Sequence, residues 1–334
     1  MKILFIFTGG TIGSTLQKGN VIATDAEKSY KIIDAYRSKY GMDFEYDTCE
    51  PYTELSENNT GEHIRMLCSC VKSKLGCGYD GIVITHGTDT LQYSASALGY
   101  LLGLDSIPVC LVSANRPIEH PCSNGLENLH GAISLIREGS FRGVFVTYRN
   151  DNSSVIRVHR ATRLIGAKAF SDDVSSIFGC IYGHFDSHFN FIKNPNYCEK
   201  EDEIKPIFAD KITDSSEGVS VLYPYAGMIY PEIDKKTRFI LVNTYHSGTI
   251  NTKSESAKEF FIKAKEMGIK AYAVGIPEGP EYQSSKSFDE LGIIPLKNIS
   301  PVAAYIKLWI LSGNGGDITD IMRASLSGDI AHNK

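Results

Sequence analysis

Two segments hold the residues with the best prospects for chemistry. Thr8-Gly9-Gly10-Thr11-Ile12-Gly13-Ser14 follows the apolar run Lys2–Phe7. Paired glycines let a backbone turn sharply and bring its N–H groups close to a ligand, and Thr11 then presents a hydroxyl at the end of the run. Ile84-Thr85-His86-Gly87-Thr88-Asp89-Thr90 closes a second apolar run just before a helical pattern. A helix N-terminus offers free N–H groups and positive potential to an anion or a developing oxyanion. Taken alone, each segment has an ordinary explanation: a turn whose threonine satisfies its own backbone, and a helix capped by Asp89. Nucleotide binding fits the first segment poorly, since it has neither G-x-x-x-x-G-K-[ST] nor G-x-G-x-x-G spacing. At neighbouring strand ends, however, the two would gather two hydroxyls, a carboxylate and several N–H groups.

The elements that must position these residues follow from periodicity. Lys2–Phe7, Gly81–Thr85, Pro108–Ser113 and Gly143–Tyr148 are continuous apolar runs of the kind buried on both faces of a parallel sheet. Between them, Ile64, Leu67, Cys68, Val71 and Leu75 repeat at helical spacing after a Thr60 cap, and Gly76 ends the pattern. Further helices are expected over Leu91–Leu102 and from about Leu126 to Arg137. From about Phe185 to Glu217 the pattern fades into polar residues, Asn194-Pro195 and the charged run 199–203, which reads as a linker. Alternation then resumes. Strands are expected at Val219–Tyr223, Arg238–Val242 and Lys270–Ile276. Helices are expected from Ser254 to Gly268, from Ser300-Pro301 to Gly313 and over Ile318–Ser325. The division is therefore 1–184, a linker 185–217 and 218–334, with α/β character on both sides. Ligands of open parallel sheets bind beyond the carboxyl ends of the strands, where both segments lie.

Composition excludes several classes of function. At 334 residues the chain is too long for one ordinary core. A net charge of −5 argues against nucleic acid, which requires clustered Lys and Arg. No apolar run is long enough to span a membrane, and the N-terminal run is too short for a signal peptide, so a cytoplasmic location is expected. The eight cysteines show neither a C-x-x-C pair nor zinc spacing and read as reduced thiols. His184, Asp186 and His188 form H-x-D-x-H, a possible zinc set, but no fourth ligand is evident.

Both chemical segments resemble the signature segments of the bacterial-type L-asparaginases. Ser113–Pro117 looks like that family's third loop, Ser123-Asn124-Gly125 with Asn128-Leu129 like the helix entry after it, Tyr52–Thr60 like its substrate-carboxylate loop, and Val219–Gly227 like the start of its second domain. The short loop after Ile12 is more similar to the cytoplasmic type I enzymes. The resemblance implies a two-domain asparaginase-like α/β fold, with a larger, mostly parallel N-terminal sheet flanked by helices and a smaller C-terminal α/β domain. It implies hydrolysis of an amino-acid amide such as asparagine, with no cofactor and no metal, in a homodimer or homotetramer.

Residue by residue, the resemblance places Thr11 at the nucleophile and Thr88 with Asp89 in a Thr-Lys-Asp group. Asp89 and Glu57 would hold the substrate α-ammonium, and Ser56 with nearby N–H groups its α-carboxylate. Gly10 and Thr88 are main-chain oxyanion donors, Gly87 lines the same corner, and the Ala114 carbonyl faces the leaving nitrogen. Such a set is chemically apt, because a hydroxyl nucleophile needs a proton acceptor and an oxyanion site.

The sequence departs from the family pattern in several places. Arg163 stands where the lysine is expected, and arginine cannot give up its proton. Lys168 matches only if the register shifts by five residues. The loop Ser14–Ile22 has no tyrosine, with Asn20 near the expected place, and Tyr30 is too far along to replace it. Asn124 replaces an aspartate. In Asn243–Thr249, the stretch that would complete a neighbouring subunit's site, Thr249 replaces an asparagine. Two other readings stay open: an ammonia-supplying amidotransferase subunit, and an amino-acid or amide-binding relative with lost or altered activity.

Overall fold

The computed structural model describes residues 1–10, 12, 14–17, 21–24, 30–202, 213, 216–313 and 317–332. In chain order the first part contains β1 (Lys2–Phe7), β2 (Ser14–Gln17), β3 (Val21–Thr24), α1 (Lys31–Tyr40), β4 (Glu45–Cys49), α2 (Gly61–Lys74), β5 (Gly81–Thr85), α3 (Leu91–Leu102), β6 (Val109–Val112), α4 (Gly125–Arg137), β7 (Val144–Tyr148), β8 (Ile156–Arg160), β9 (Gly183–Phe185) and β10 (Phe191–Lys193). The remainder contains β11 (Val219–Leu222), β12 (Phe239–Asn243), α5 (Glu255–Glu266), β13 (Lys270–Ile276), α6 (Gln283–Lys286), β14 (Ile293–Lys297), α7 (Pro301–Ser312) and α8 (Thr319–Arg323).

Eight strands form one sheet in the order β10-β9-β8-β7-β6-β5-β1-β4. Strands β4, β1, β5, β6 and β7 are parallel, and β8, β9 and β10 continue antiparallel. A second sheet, β11-β12-β13-β14, is parallel throughout. From β1 the chain crosses to β4 on one side, returns to β5 on the other, and thereafter moves only outward. The reversal opens a crevice beyond the carboxyl ends of β1 and β5, the place where open α/β sheets bind ligands.

The apolar runs read from the sequence are the central strands, buried along their length. Three differences have physical causes. Strand β4 (EYDTC) is an edge strand with a half-exposed, alternating face, so it lacks a continuous apolar run. Strand β8 (IRVHR) buries Arg160 and His159, which no hydrophobic pattern announces. Part of the stretch expected as a linker, residues 185–193, completes the hairpin β9–β10 of the first sheet. There Asp186 accepts the backbone N–H groups of His188 and Asn190, so the H-x-D-x-H segment forms a turn. Among the described residues no group of three or more His, Cys, Asp or Glu side chains is placed to hold a metal. Nor is any helix among them long and apolar enough to cross a membrane.

Helix α3 joins the crevice to the rest of the molecule. Almost all of it is buried, and its small residues allow close neighbours: a Cβ on Gly99 would lie 2.7 Å from Thr162 Cγ2. Near its far end the Tyr100 hydroxyl donates to Asp329 Oδ2 (2.8 Å). Lys307 of α7, with no exposed side-chain surface, pairs with the same carboxylate at 3.0 Å and donates to the carbonyls of Met322 and Ala324. A buried pair this well partnered ties α3, α7 and the C-terminal segment together, and removing one ion leaves the other uncompensated. Asp329→Ala is expected to cost about 3–5 kcal/mol of unfolding free energy, measured by urea denaturation; a loss well under 1 kcal/mol would show that the pair contributes little.

Candidate active site

Chain topology brings three turns together at the β1–β5 crevice. Strand β1 runs into Thr8, whose buried hydroxyl donates to the Thr85 carbonyl (2.7 Å). Gly9 forms a parallel bridge to Glu54, and the Gly10 N–H donates to the Glu54 carbonyl (3.2 Å). Gly9 and Gly10 have φ of +94° and +78°, and a Cβ on Gly10 would lie 2.3 Å from the Gly87 nitrogen. Only glycine combines these dihedrals with that approach. Gly87 in turn lies under Ser56, since a Cβ there would meet Ser56 Oγ at 2.4 Å.

Ser56 is buried, and its hydroxyl is shared with Asp89: it donates to Asp89 Oδ2 (3.3 Å) and accepts the Asp89 N–H (3.2 Å). Thr90 donates to the Ser56 carbonyl (2.8 Å), and Asn59 donates to Thr90 Oγ1 (3.2 Å). Gln92 holds the Asp89 carbonyl (2.9 Å). Beneath them His86 is fully buried between the Gly87 carbonyl and Ser94 Oγ (2.8 and 2.9 Å). This arrangement assigns Nδ1 as the donor and Nε2 as the acceptor of a neutral ring. Burial pushes its pKa down to about 4, which removes it as a proton carrier near neutrality. Asn59 and Thr90 lie in segments the sequence singled out, whereas the supporting partners Gln92 and Ser94 carried no signal there, because each acts through a contact that only the folded chain creates.

Thr88 and Asp89 form one wall of a cleft of about 600 Å³ whose other walls include Asp151, Leu164, Ile165 and the stretch from Ala167 to Val174. Among the described residues, Lys168 is the only lysine or arginine lining it, together with Asp89, Asp151, Asp172 and Asp173. The Asp172 carboxyl is raised above its ordinary range, first by partial burial and then by Asp151, while Arg116 opposes the shift.

Arg163, which the sequence placed at the lysine position, does not line this cleft. Its guanidinium is buried, stacks over Tyr197, and donates to the carbonyls of Cys198 (2.6 Å), Gly328 (2.7 Å) and Ile330 (3.1 Å). A planar fork of donors suits three converging carbonyls, and a single ammonium does not. The residue that reaches the cleft is Lys168, five positions further on.

Several other expectations receive their geometry here. Thr11 and Asn20 lie outside the described residues. Gly10 spends its N–H on Glu54, whereas the Thr88 N–H has no partner among the described residues. Glu57 is exposed on the turn Ser56–Asn58 and does not line the cleft. Ala114 is buried beyond β6, packed close to Gly125. Tyr30 stands against Phe7 with ring centroids 5.2 Å apart. Asn124 exchanges hydrogen bonds with Asn115 and donates its side-chain amide to the Arg149 carbonyl (2.8 Å). An ionised aspartate could not make that last bond. In the second sheet, residues 245–249 close a tight turn in which Gly248 N–H donates to the Tyr245 carbonyl and Ser247 meets Thr249 at 2.9 Å.

Comparison with known proteins fits this geometry. The model described as "Asparaginase, N-terminal" matches residues 2–177, more than half of the chain. The chain belongs to the asparaginase family. Among solved asparaginases, the thermostable L-asparaginase from Thermococcus kodakarensis superposes over 100% of both chains with a TM-score of 0.74 at 22% identity. L-asparaginase I from Vibrio cholerae superposes over 98% of both with a TM-score of 0.75 at 18% identity. These likenesses show a shared fold. In sequence, a subunit of the glutamyl-tRNA(Gln) amidotransferase of Haloquadratum walsbyi is 27% identical over 99% of this chain and 75% of its own length. The same-named subunit from Methanococcus maripaludis is 26% identical over 83% of this chain and 68% of its own.

Two outcomes follow from this geometry. Arg163→Lys is expected to lose about 2 kcal/mol of stability, since it leaves buried carbonyls unsatisfied, with no gain in amide hydrolysis; a gain would return the residue to the cleft. His86 and the equally buried His159, which burial lowers to about 3, are neutral when folded and titrate near 6.5 when unfolded. The unfolded state therefore binds more protons, and stability is complete above about pH 6.5 and falls as the pH drops toward 4. Urea denaturation is expected to show a loss of about 2 kcal/mol per histidine at pH 5, reduced by about half in His86→Gln.

Proposed function

We propose that this protein is an amidohydrolase that cleaves the side-chain amide of a small amino acid, asparagine being the first candidate, through a threonine ester. The observation that carries the reading is the cleft in which Thr88, Asp89 and Lys168 share one cavity beside the turn after β5, with Asp89 fixed by buried Ser56. Thr11, the residue following Gly10, supplies the attacking hydroxyl. Its oxygen bonds to the amide carbon, and its proton passes through Thr88 toward Lys168. The Thr88 N–H stabilises the oxyanion. The same proton returns from Lys168 to the amide nitrogen, the C–N bond breaks and ammonia leaves, and water then hydrolyses the ester to free the Thr11 hydroxyl.

Asp89 and its acidic neighbours attract the α-ammonium of the amino acid. Ser56, already committed to Asp89, acts by orienting that carboxylate and can reach an α-carboxylate only by rotating away from it. The enzyme works as a homodimer or homotetramer in the cytoplasm, in keeping with eight free thiols, and the turn 245–249 of a second copy is the proposed completion of the site.

A second reading comes from the sequence relatives: an amidotransferase subunit that releases ammonia for use by a partner. Both readings place amide hydrolysis at the same cleft. They differ in whether the chain turns over alone.

Ammonia release from millimolar asparagine and glutamine tests the proposal. Thr11→Ala is expected to abolish turnover, and Lys168→Met to lower kcat by about 10²–10⁴-fold. Full activity in Thr11→Ala would remove the nucleophile, and full activity in Lys168→Met would remove the base. Turnover that appears only with an added tRNA-amidating partner would select the second reading.

A further inference from the structure

The eight cysteines are all free and fall into distinct environments. Cys68 and Cys110 are fully buried, and burial pushes both thiols up, Cys68 to about 12, so neither is reactive. Cys77 and Cys122 are exposed, and Cys180 and Cys198 half-buried. None of these six meets a second sulfur among the described residues. Cys49 and Cys70 do: their Sγ atoms are 3.3 Å apart, with both side chains half-buried. Cys49 is the last residue of β4, where it pairs with Ile6 of β1, and Cys70 lies in the third turn of α2.

We propose that Cys49 and Cys70 are a redox-controlled dithiol whose oxidation to a disulfide cross-links the strand and the helix that flank the loop carrying Ser56. Residues 50–60 leave β4 at Cys49 and enter α2 at Thr60. Within that span lie Glu54, which holds Gly10, and Ser56, which holds Asp89. A bond from 49 to 70 fixes the strand and the helix that anchor this loop. Two sulfurs already in contact need little backbone movement to join, which is the main geometric obstacle to most cysteine pairs.

The pair is also polarised for exchange. The Cys70 thiol is lowered, first by the hydrogen bond from Cys49 and further by the Lys74 ammonium one turn along α2. Cys70 thus attacks as the thiolate. With oxidised glutathione as the oxidant, Cys70 Sγ bonds to one glutathione sulfur and the other leaves as a thiol. Cys49 Sγ then attacks Cys70 Sγ and displaces the second glutathione. Two protein thiols are oxidised, one glutathione disulfide is reduced, and both protons leave with the two glutathiones. This exchange does not depend on the reading of the cleft.

The test uses the full chain, incubated with millimolar oxidised glutathione, alkylated and mapped by mass spectrometry. The expected result is a linked peptide pair containing Cys49 and Cys70, lighter by two hydrogens and reversed by dithiothreitol, with Cys77 and Cys122 carrying separate glutathiones. Cys49→Ser is expected to trap one glutathione on Cys70. Backbone hydrogen exchange over residues 50–60 is expected to slow at least about tenfold in the oxidised protein. Separate glutathiones on Cys49 and Cys70, or both thiols left free while Cys77 and Cys122 react, would overturn the dithiol. A linked pair with unchanged exchange over 50–60 would overturn the control of the loop.

Discussion

A methyl group on Gly10 would stand 2.3 Å from the Gly87 nitrogen, and one on Gly87 would stand 2.4 Å from Ser56 Oγ. This three-layer contact, backbone on backbone on a buried hydroxyl, sets the spacing of everything around the crevice. It holds the turn after β1 against the turn after β5, and it seats Ser56 where its oxygen can both give a proton to Asp89 and accept one from it. Side chains larger than hydrogen at positions 10 and 87 would force the two strand ends apart, and Asp89 would lose its fixed direction. The positive φ at Gly10 makes the same demand on independent grounds.

Below that contact the molecule keeps these polar groups buried with their bonds made. His86 gives one nitrogen to a carbonyl and the other to a serine. Arg163 fans its donors over three carbonyls, and Lys307 shares Asp329 with Tyr100. These groups fasten the C-terminal segment to α3 and to the turn after β8, and α3 begins at the crevice. Buried charge of this kind therefore belongs to the frame, whereas the charge that faces the cleft, Lys168 with Asp89, Asp151, Asp172 and Asp173, keeps access to water and to a ligand.

The separation explains why a linear reading settled on Arg163. In sequence, Arg163 and Lys168 are two basic residues five positions apart on a stretch that leaves β8. The turn over residues 161–163 packs against α3 and aims Arg163 at the C-terminal carbonyls. Only at Leu164 and Ile165 does the chain reach the cleft wall. No local rule distinguishes these paths, because the carbonyls that capture Arg163 come from residues 198, 328 and 330. Asn124 teaches the same lesson in a milder form: its replacement of a carboxylate looked like a loss, yet its amide donates to the Arg149 carbonyl.

What the sequence determined by itself is whatever rests on local preference. Continuous apolar runs became the central parallel strands, helical spacing with a Thr60 cap became α2, and paired glycines ending a strand marked the crevice, because each is a property of a few neighbouring residues. Tertiary structure alone decided which basic residue faces the cleft, that Ser56 serves Asp89, that Gly10 gives its N–H to Glu54, that 185–193 joins the first sheet, and that Cys49 meets Cys70. Each of these depends on a partner beyond the reach of local periodicity, and such contacts exist only once the strands have taken their order in the sheet.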